Sequence, residues 1–329
     1  MSVPAPLYRN PSGVDVTANG LARWTFQRIR DRLPRPPKSP LRGVAPDVAF
    51  LHANRTDPSL TWIGHASLLL QIGGCNVLID PVFSRRVSPV RFAGPRRHQP
   101  PGLTVDQLPP IDAVVISHNH YDHLDLPSVR AVQRRALRNA HTTTFLVPKG
   151  IDAWSVRHLP SPVRARGFEW YDHHVIETPT GPLELHFLPV QHWSSRSALR
   201  RNDTPWGSWA IVHPSFRFWF SGDLGYSNDP ANIGAQFGEF DLAAIGIGAY
   251  SPRWFMQPQH IDPAQAVQVM LDVRASRAVG VHWGTFPLAD ESLDEPPREL
   301  ADAVAARGLE ADRFTVMQHG ETRRYAVRR

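Results

Sequence analysis

An apolar run, Val114-Val115-Ile116, passes within one residue into His118-Asn119-His120-Tyr121-Asp122-His123, and no other stretch restricts the chain as tightly. The run has strand character, and a strand sends residues i and i+2 to the same side, so His118 and His120 at its end can grip one ion together. Asp122 and His123 lie beyond that pair and can turn toward a second ion. Four nitrogen or oxygen donors spaced H-x-H-x-D-H read as metal ligands rather than as a solvated polar turn.

The same texture recurs along the chain. Residues 1–46 are rich in proline and poor in apolar clusters, which predicts an N-terminal arm packing on the core and one large domain over 47–329. Within the arm, residues 21–33 can form a short amphipathic helix whose arginines, with Trp24 and Phe26, suit either packing on the domain or contact with an anionic lipid surface. Two strands joined by Gly73-Gly74 are expected over 61–80; His65 leaves the first and Asp80 ends the second. Both are candidates to stand behind the ligands and hold an imidazole in place, as is Asp125. A long Pro- and Arg-rich connection, 82–110, carries Arg85, Arg86, Arg91, Arg96 and Arg97. Helices are expected at 126–139, 151–159, 263–272 and 299–307. Strands are expected at 143–148, 183–190, 209–213, 216–221, 242–248, 278–282 and 314–318. Three of these strands end in further donors, His192, Asp223 and His282, and strand ends are where α/β sheets present functional groups.

Composition narrows the chemistry. The only cysteine is Cys75, so neither an internal disulfide nor a cysteine-built zinc site is available, and the ligands must be His and Asp/Glu. Seven such donors suit two divalent ions, Zn²⁺ first, with Fe or Mn equally compatible with the donor types. The 36 basic residues outnumber 30 acidic ones and include just two lysines, Lys38 and Lys149; arginine forks suit phosphate. No signal-like apolar segment opens the chain and no run of 18 apolar residues occurs, so a cytoplasmic protein, peripheral at most to the inner face of a membrane, is expected.

H-x-H-x-D-H, then a lone His, then Gly-Asp, then His, resembles the metallo-β-lactamase superfamily. The resemblance implies an αββα sandwich with two mixed sheets flanked by helices. It implies His118, His120 and His192 on one metal, Asp122, His123 and His282 on the other, and Asp223 bridging. The flanking words narrow it: Trp62-Ile63-Gly64-His65-Ala66-Ser67, Asp80-Pro81-Val82-Phe83-Ser84, Pro189-Val190-Gln191-His192-Trp193-Ser194, Gln259-His260-Ile261-Asp262-Pro263 and His282-Trp283-Gly284-Thr285-Phe286 look like the N-acyl-phosphatidylethanolamine-hydrolysing phospholipase D branch. That branch implies a phosphodiesterase in which Tyr121, Gln259 and His260 line the substrate site, with Asp122 and Asp223 at the reacting centre. A lactonase or cyclic-nucleotide esterase acting on small phosphorylated metabolites is the alternative, because part of the motif set is shared with such enzymes. A nuclease using the arginine surface is a third reading, with no aromatic-interleaved basic motif behind it.

Overall fold

The computed structural model describes residues 7–14, 20–31, 33, 36–37, 41–90, 92–197 and 200–328; Arg32, Arg91 and parts of the 1–46 arm lie outside the described residues. The first half contains α1 (Leu21–Arg30), α2 (Val48–Ala53), β1 (Ser59–Gly64), β2 (Ser67–Ile72), β3 (Cys75–Ile79), β4 (Ala113–Val115), α3 (Leu126–Arg138), β5 (Thr144–Pro148), α4 (Ile151–His158) and β6 (Arg164–Phe168). The second contains β7 (His173–Thr178), β8 (Gly181–Leu188), β9 (Ser195–Ser197), β10 (Arg200–Arg201), β11 (Ser208–His213), β12 (Phe216–Phe220), α5 (Asp229–Phe237), β13 (Leu242–Gly246), α6 (Arg253–Met256), α7 (Pro263–Asp272), β14 (Ala278–Val281), α8 (Pro296–Ala306), β15 (Phe314–Val316) and β16 (Thr322–Arg324).

One sheet runs β16-β1-β2-β3-β4-β5-β6 and the other β15-β14-β13-β12-β11-β8-β7, while β9 and β10 pair as a separate hairpin. Both sheets are mixed, for example antiparallel at β2–β3 and β11–β12 and parallel at β3–β4 and β13–β14. The alternation of side chains across a strand explains the layering. Leu68, Leu70 and Ile72 point between the sheets with Val77, Ile79, Phe218 and Phe220. Their neighbours Leu69, Leu78 and Val114 face α2, α3 and α4, and Trp219, Ala243 and Ile245 face α5, α7 and α8. The result is the αββα sandwich expected from the motifs. Central strands covered on both faces read as unbroken apolar runs.

Residues 59–72 form two strands rather than one, because His65 takes φ 55° in a tight turn between β1 and β2. Gly64 permits that turn: a Cβ there would meet His319 Cδ2 at 2.7 Å. β16, which returns to β1, was not expected, since Thr322-Arg323-Arg324 lacks apolar character. α1 buries none of its own residues, yet its Trp24 donates to Asp290 (Nε1 to Oδ2, 2.9 Å) and stacks on Phe255 at 4.9 Å between centroids.

The 82–110 connection is pinned at Gly102, whose N–H donates to Ile63 O at 2.8 Å. A Cβ at Gly102 would lie 2.0 Å from the backbone nitrogen of Gly320, and backbone cannot give way as a flexible side chain does. Gly102→Ala is therefore expected to cost about 3 kcal/mol, read as a fall in unfolding midpoint of about 5 °C for a chain this long. An unchanged midpoint would show that the two segments separate without penalty.

Candidate metal centre

The strand ends of both sheets meet at one rim of the sandwich. β4 continues into Ser117 and His118, β3 ends at Asp80, β12 leads to Asp223, β14 to His282, and the β1–β2 turn presents His65. His192 follows β8. Donor atoms of His118, His120, His192 and Asp223 lie within 4.8 Å of one another, as do those of His65, Asp122, His123 and His282. Asp223 faces both groups. Its Oδ2 is 3.2 Å from His123 Nε2 and 3.8 Å from His118 and His192 Nε2, and its Oδ1 is 3.2 Å from His282 Nε2.

The hydrogen bonds behind the ring fix which nitrogens point inward. His192 Nδ1 donates to the Gln259 carbonyl at 2.9 Å. His123 Nδ1 donates to Asp80 Oδ2 at 2.7 Å. The Ser117 hydroxyl gives its one proton to Asp80 Oδ2 (2.5 Å) and so accepts from His118 Nδ1 (2.9 Å). These three imidazoles are thereby assigned the tautomer whose Nε2 lone pair faces the centre, the arrangement metal-binding histidines require, whereas His120 turns its Nδ1 toward Nε2 of His118 (2.8 Å) and of His192 (3.4 Å). Nε2 of His123 and of His282 is buried with no well-aligned hydrogen-bond partner. Tetrahedral donors held at about 2.1 Å from a zinc ion stand about 3.4 Å apart, which matches the 3.2–3.8 Å separations around Asp223. The donors present thus fit two divalent cations.

The electrostatics divide the donors: burial lowers His123 and His282, but Asp223 and Asp122 outweigh it and raise His123 well above the ordinary imidazole range and His282 to about 9, so a cation taking their Nε2 lone pairs displaces a proton from each. Burial lowers His192 and His65 to about 3 and His120 to about 4, so these rings are neutral donors across the ordinary pH range. Burial also opposes charge on Asp223, but His123 and His282 hold its carboxyl well below the usual range. Asp122 is held down in the same way by His123, His282 and His65.

His65 stands nearer than expected. Its Nε2 is 3.1 Å from Asp122 Oδ2, inside the second donor group rather than behind it, and its N–H donates to Thr285 Oγ1 at 2.8 Å. Asp80 touches His123, as the sequence suggested. Asp125 does not brace a histidine: it accepts from the hydroxyls of Ser84 and Ser128 at the start of α3. Tyr121 also departs from expectation. Its ring packs with Val82, Val87 and Phe286 under the Arg196 guanidinium, 4.1 Å away, and its hydroxyl donates to Arg196 O at 3.1 Å. Tyr121 follows His120 on the opposite side of the chain, which turns it away from the centre.

A pocket of about 230 Å³ opens on His120, Asp122, Asp223 and His282, with Gln259 and His260 in its wall. His260 also shares a donor group with Asp223 and His282. Sequence reasoning missed the apolar side of this pocket, Leu21, Trp24, Phe255, Met256 and Leu288, and its other wall, Trp193 and Arg201. These residues come from the arm, from α6 and from loops, and no periodicity or spacing joins them.

A family model described as "Beta-lactamase superfamily domain" matches residues 75–283. The chain is 37% identical over 267 residues to N-acyl-phosphatidylethanolamine-hydrolyzing phospholipase D 1 of Caenorhabditis elegans, covering 79% of this chain and 74% of that one. It is 31% identical to the mitochondrial N-acyl-phosphatidylethanolamine-hydrolyzing phospholipase D of Saccharomyces cerevisiae, over 80% of this chain and 55% of that one. Isothiocyanate hydrolase from Delia radicum gut bacteria shares the fold, with a TM-score of 0.61 at 20% identity, covering 82% of this chain and 99% of that one.

Proposed function

The chain belongs to the β-lactamase superfamily, in its N-acyl-phosphatidylethanolamine-hydrolysing phospholipase D branch, and from that membership we propose a dinuclear-metal phosphodiesterase of phospholipase D type. The substrate is N-acyl-phosphatidylethanolamine or a related phospholipid. The observation that carries this reading is one carboxylate, Asp223, within reach of imidazoles of both donor groups at the floor of a pocket with an apolar wall.

His118, His120 and His192 would hold one cation, and Asp122, His123 and His282 the other, with Asp223 shared. Two divalent ions, zinc being the first candidate, would lower the pKa of a water between them and neutralise charge on phosphoryl oxygens. The residues of this chain set the geometry for that chemistry. As the water's oxygen bonds to phosphorus and the bond from phosphorus to the ethanolamine oxygen breaks, Asp122 would accept the water's proton and pass it to that leaving oxygen, and His65, 3.1 Å from its Oδ2, orients it. Gln259 and His260, in the wall, contact the headgroup. The Trp24, Phe255, Met256 and Leu288 side excludes water and receives the first carbons of the lipid, so the 1–46 arm is read as part of the catalytic domain's surface rather than as a separate module.

Among the described residues no helix is long and apolar enough to cross a membrane. Such a protein meets a lipid from the aqueous side, which we take to be the cytoplasm. Metal analysis of the purified protein is expected to return two zinc equivalents, and chelation followed by zinc to abolish and then restore cleavage. Vesicles containing N-acyl-phosphatidylethanolamine should yield phosphatidic acid and N-acylethanolamine. A two-metal protein that cleaves soluble phosphodiesters but ignores vesicles would favour the small-metabolite alternative, and one that cleaves neither would end the proposal.

A further inference from the structure

Among the described residues lining the metal pocket, Arg201 is the one Arg or Lys. It stands on β10, and its guanidinium lies 4.0 Å over the ring of Trp193, which itself sits 4.3 Å from the ring of His120. The cation therefore stands one indole away from a metal-ligating imidazole. The indole thus holds the Arg201 charge at the pocket wall, and a guanidinium is the side chain whose fork geometry matches an oxyanion.

β9, the strand on which β10 and Arg201 pair, is fixed against the metal loop. Arg196 on β9 sends Nη1 to the carbonyls of Asn119 (2.9 Å) and Leu124 (2.7 Å), the two ends of the ligand-bearing turn. A cation placed on so anchored a support needs little reorganisation when a ligand arrives. The neighbouring Arg200 does not line the pocket: it is 71% exposed and pairs with Asp203 at 3.6 Å.

We infer that Arg201, held on Trp193, is the anion-recognition residue of the pocket, the group that selects a negatively charged phosphoryl substrate over a neutral ester or amide. The assignment rests on the hydrolytic reading above. It divides the work at the site: the imidazole and carboxylate cluster acts on the bond that breaks, and Arg201 fixes the charged oxygens at the mouth.

The test uses the zinc-loaded full-length protein with two probes. Calorimetric titration with inorganic phosphate measures binding without turnover, and bis(p-nitrophenyl) phosphate reports kcat and KM. Arg201→Gln is expected to raise the phosphate Kd and the KM about tenfold, equivalent to about 1.4 kcal/mol, with kcat changed less than about threefold and zinc content unaltered. Arg201→Lys should recover part of the loss, because a point charge replaces a fork. The parent Kd should weaken with added salt more steeply than that of Arg201→Gln. Arg200→Gln, which removes the same charge from the same hairpin, should leave both constants at parent values. Unchanged Kd and KM in Arg201→Gln would overturn the assignment, as would a fall in kcat accompanied by zinc loss, which would mark the residue as structural. A parent that binds phosphate but cleaves no phosphodiester would overturn the hydrolytic reading alone, and the ratio of phosphate Kd values would then decide Arg201.

Discussion

Asp223→Asn is expected to lower kcat/KM about 10³-fold, roughly 4 kcal/mol of transition-state stabilisation, while the protein stays folded. The size follows from position. Among the described residues no other carboxylate stands within 4 Å of four imidazoles, two at 3.2 Å and two at 3.8 Å, drawn from both donor groups. Asparagine keeps the volume but removes the charge and half of the oxygen donors, so both cations of the proposed centre would lose a shared ligand. Asp122→Asn removes a ligand from one group only and is expected to cost less metal, with one equivalent retained. Metal analysis, kcat and the circular dichroism spectrum of the three proteins check this. An Asp223→Asn protein that kept two zinc equivalents and parental turnover would show that the carboxylate bridges nothing.

The two sheets were legible where burial is two-sided. β1 to β4 and β11 to β14 are built from residues nearly all buried, so their apolar runs stand out in the sequence. β6 and β7 lie at the sheet edges, alternate between exposed and half-buried positions, and include Arg164, Arg166, His173 and His174. A half-solvated edge strand carries no apolar run to detect, and neither strand was expected. α5, with Asn232 and Gly234 in its middle, has weak intrinsic preference and forms because Ile233 packs against the α7 layer.

The donor cluster was legible for a different reason. Each segment that carries candidate donors follows a strand end, and strand ends in such sheets share one rim. What failed was orientation within a turn. Tyr121 and Asp125 neighbour the ligands in sequence, but one-residue steps after a strand point side chains apart. Tyr121 went to the packing under Arg196 and Asp125 to the start of α3. Gln259 and His260 in the pocket wall were expected, but the rest of the lining was invisible for a third reason, since Leu21, Trp193, Arg201 and Leu288 meet only through tertiary folding.

Asp80→Asn is expected to be nearly as damaging as loss of a ligand, although Asp80 is no ligand. The carboxylate is fully buried; Oδ1 accepts from the Ser117 N–H at 2.8 Å, and Oδ2 accepts from the Ser117 hydroxyl and from His123 Nδ1. All of its oxygens act as acceptors, and that is what compels His123 to carry its proton on Nδ1 and to turn a lone pair inward. In the amide, the oxygen remains with the Ser117 N–H and the NH₂ takes the place of Oδ2. It then offers a proton to His123 Nδ1, which favours the opposite tautomer and puts a hydrogen on the nitrogen facing the centre. Partners that orient ligating histidines are worth about 10- to 100-fold in metal affinity or activity. Asp80→Asn should therefore sit at the upper end, with about 100-fold lower turnover and selective loss of the metal equivalent bound through His123. Supplying excess zinc should restore activity in part, because the tautomer is disfavoured rather than the ligand removed, whereas excess zinc should not rescue Asp223→Asn. Equal failure of both variants to respond to zinc would show that Asp80 supports the fold of the β3–β4 rim instead of the proton position on His123.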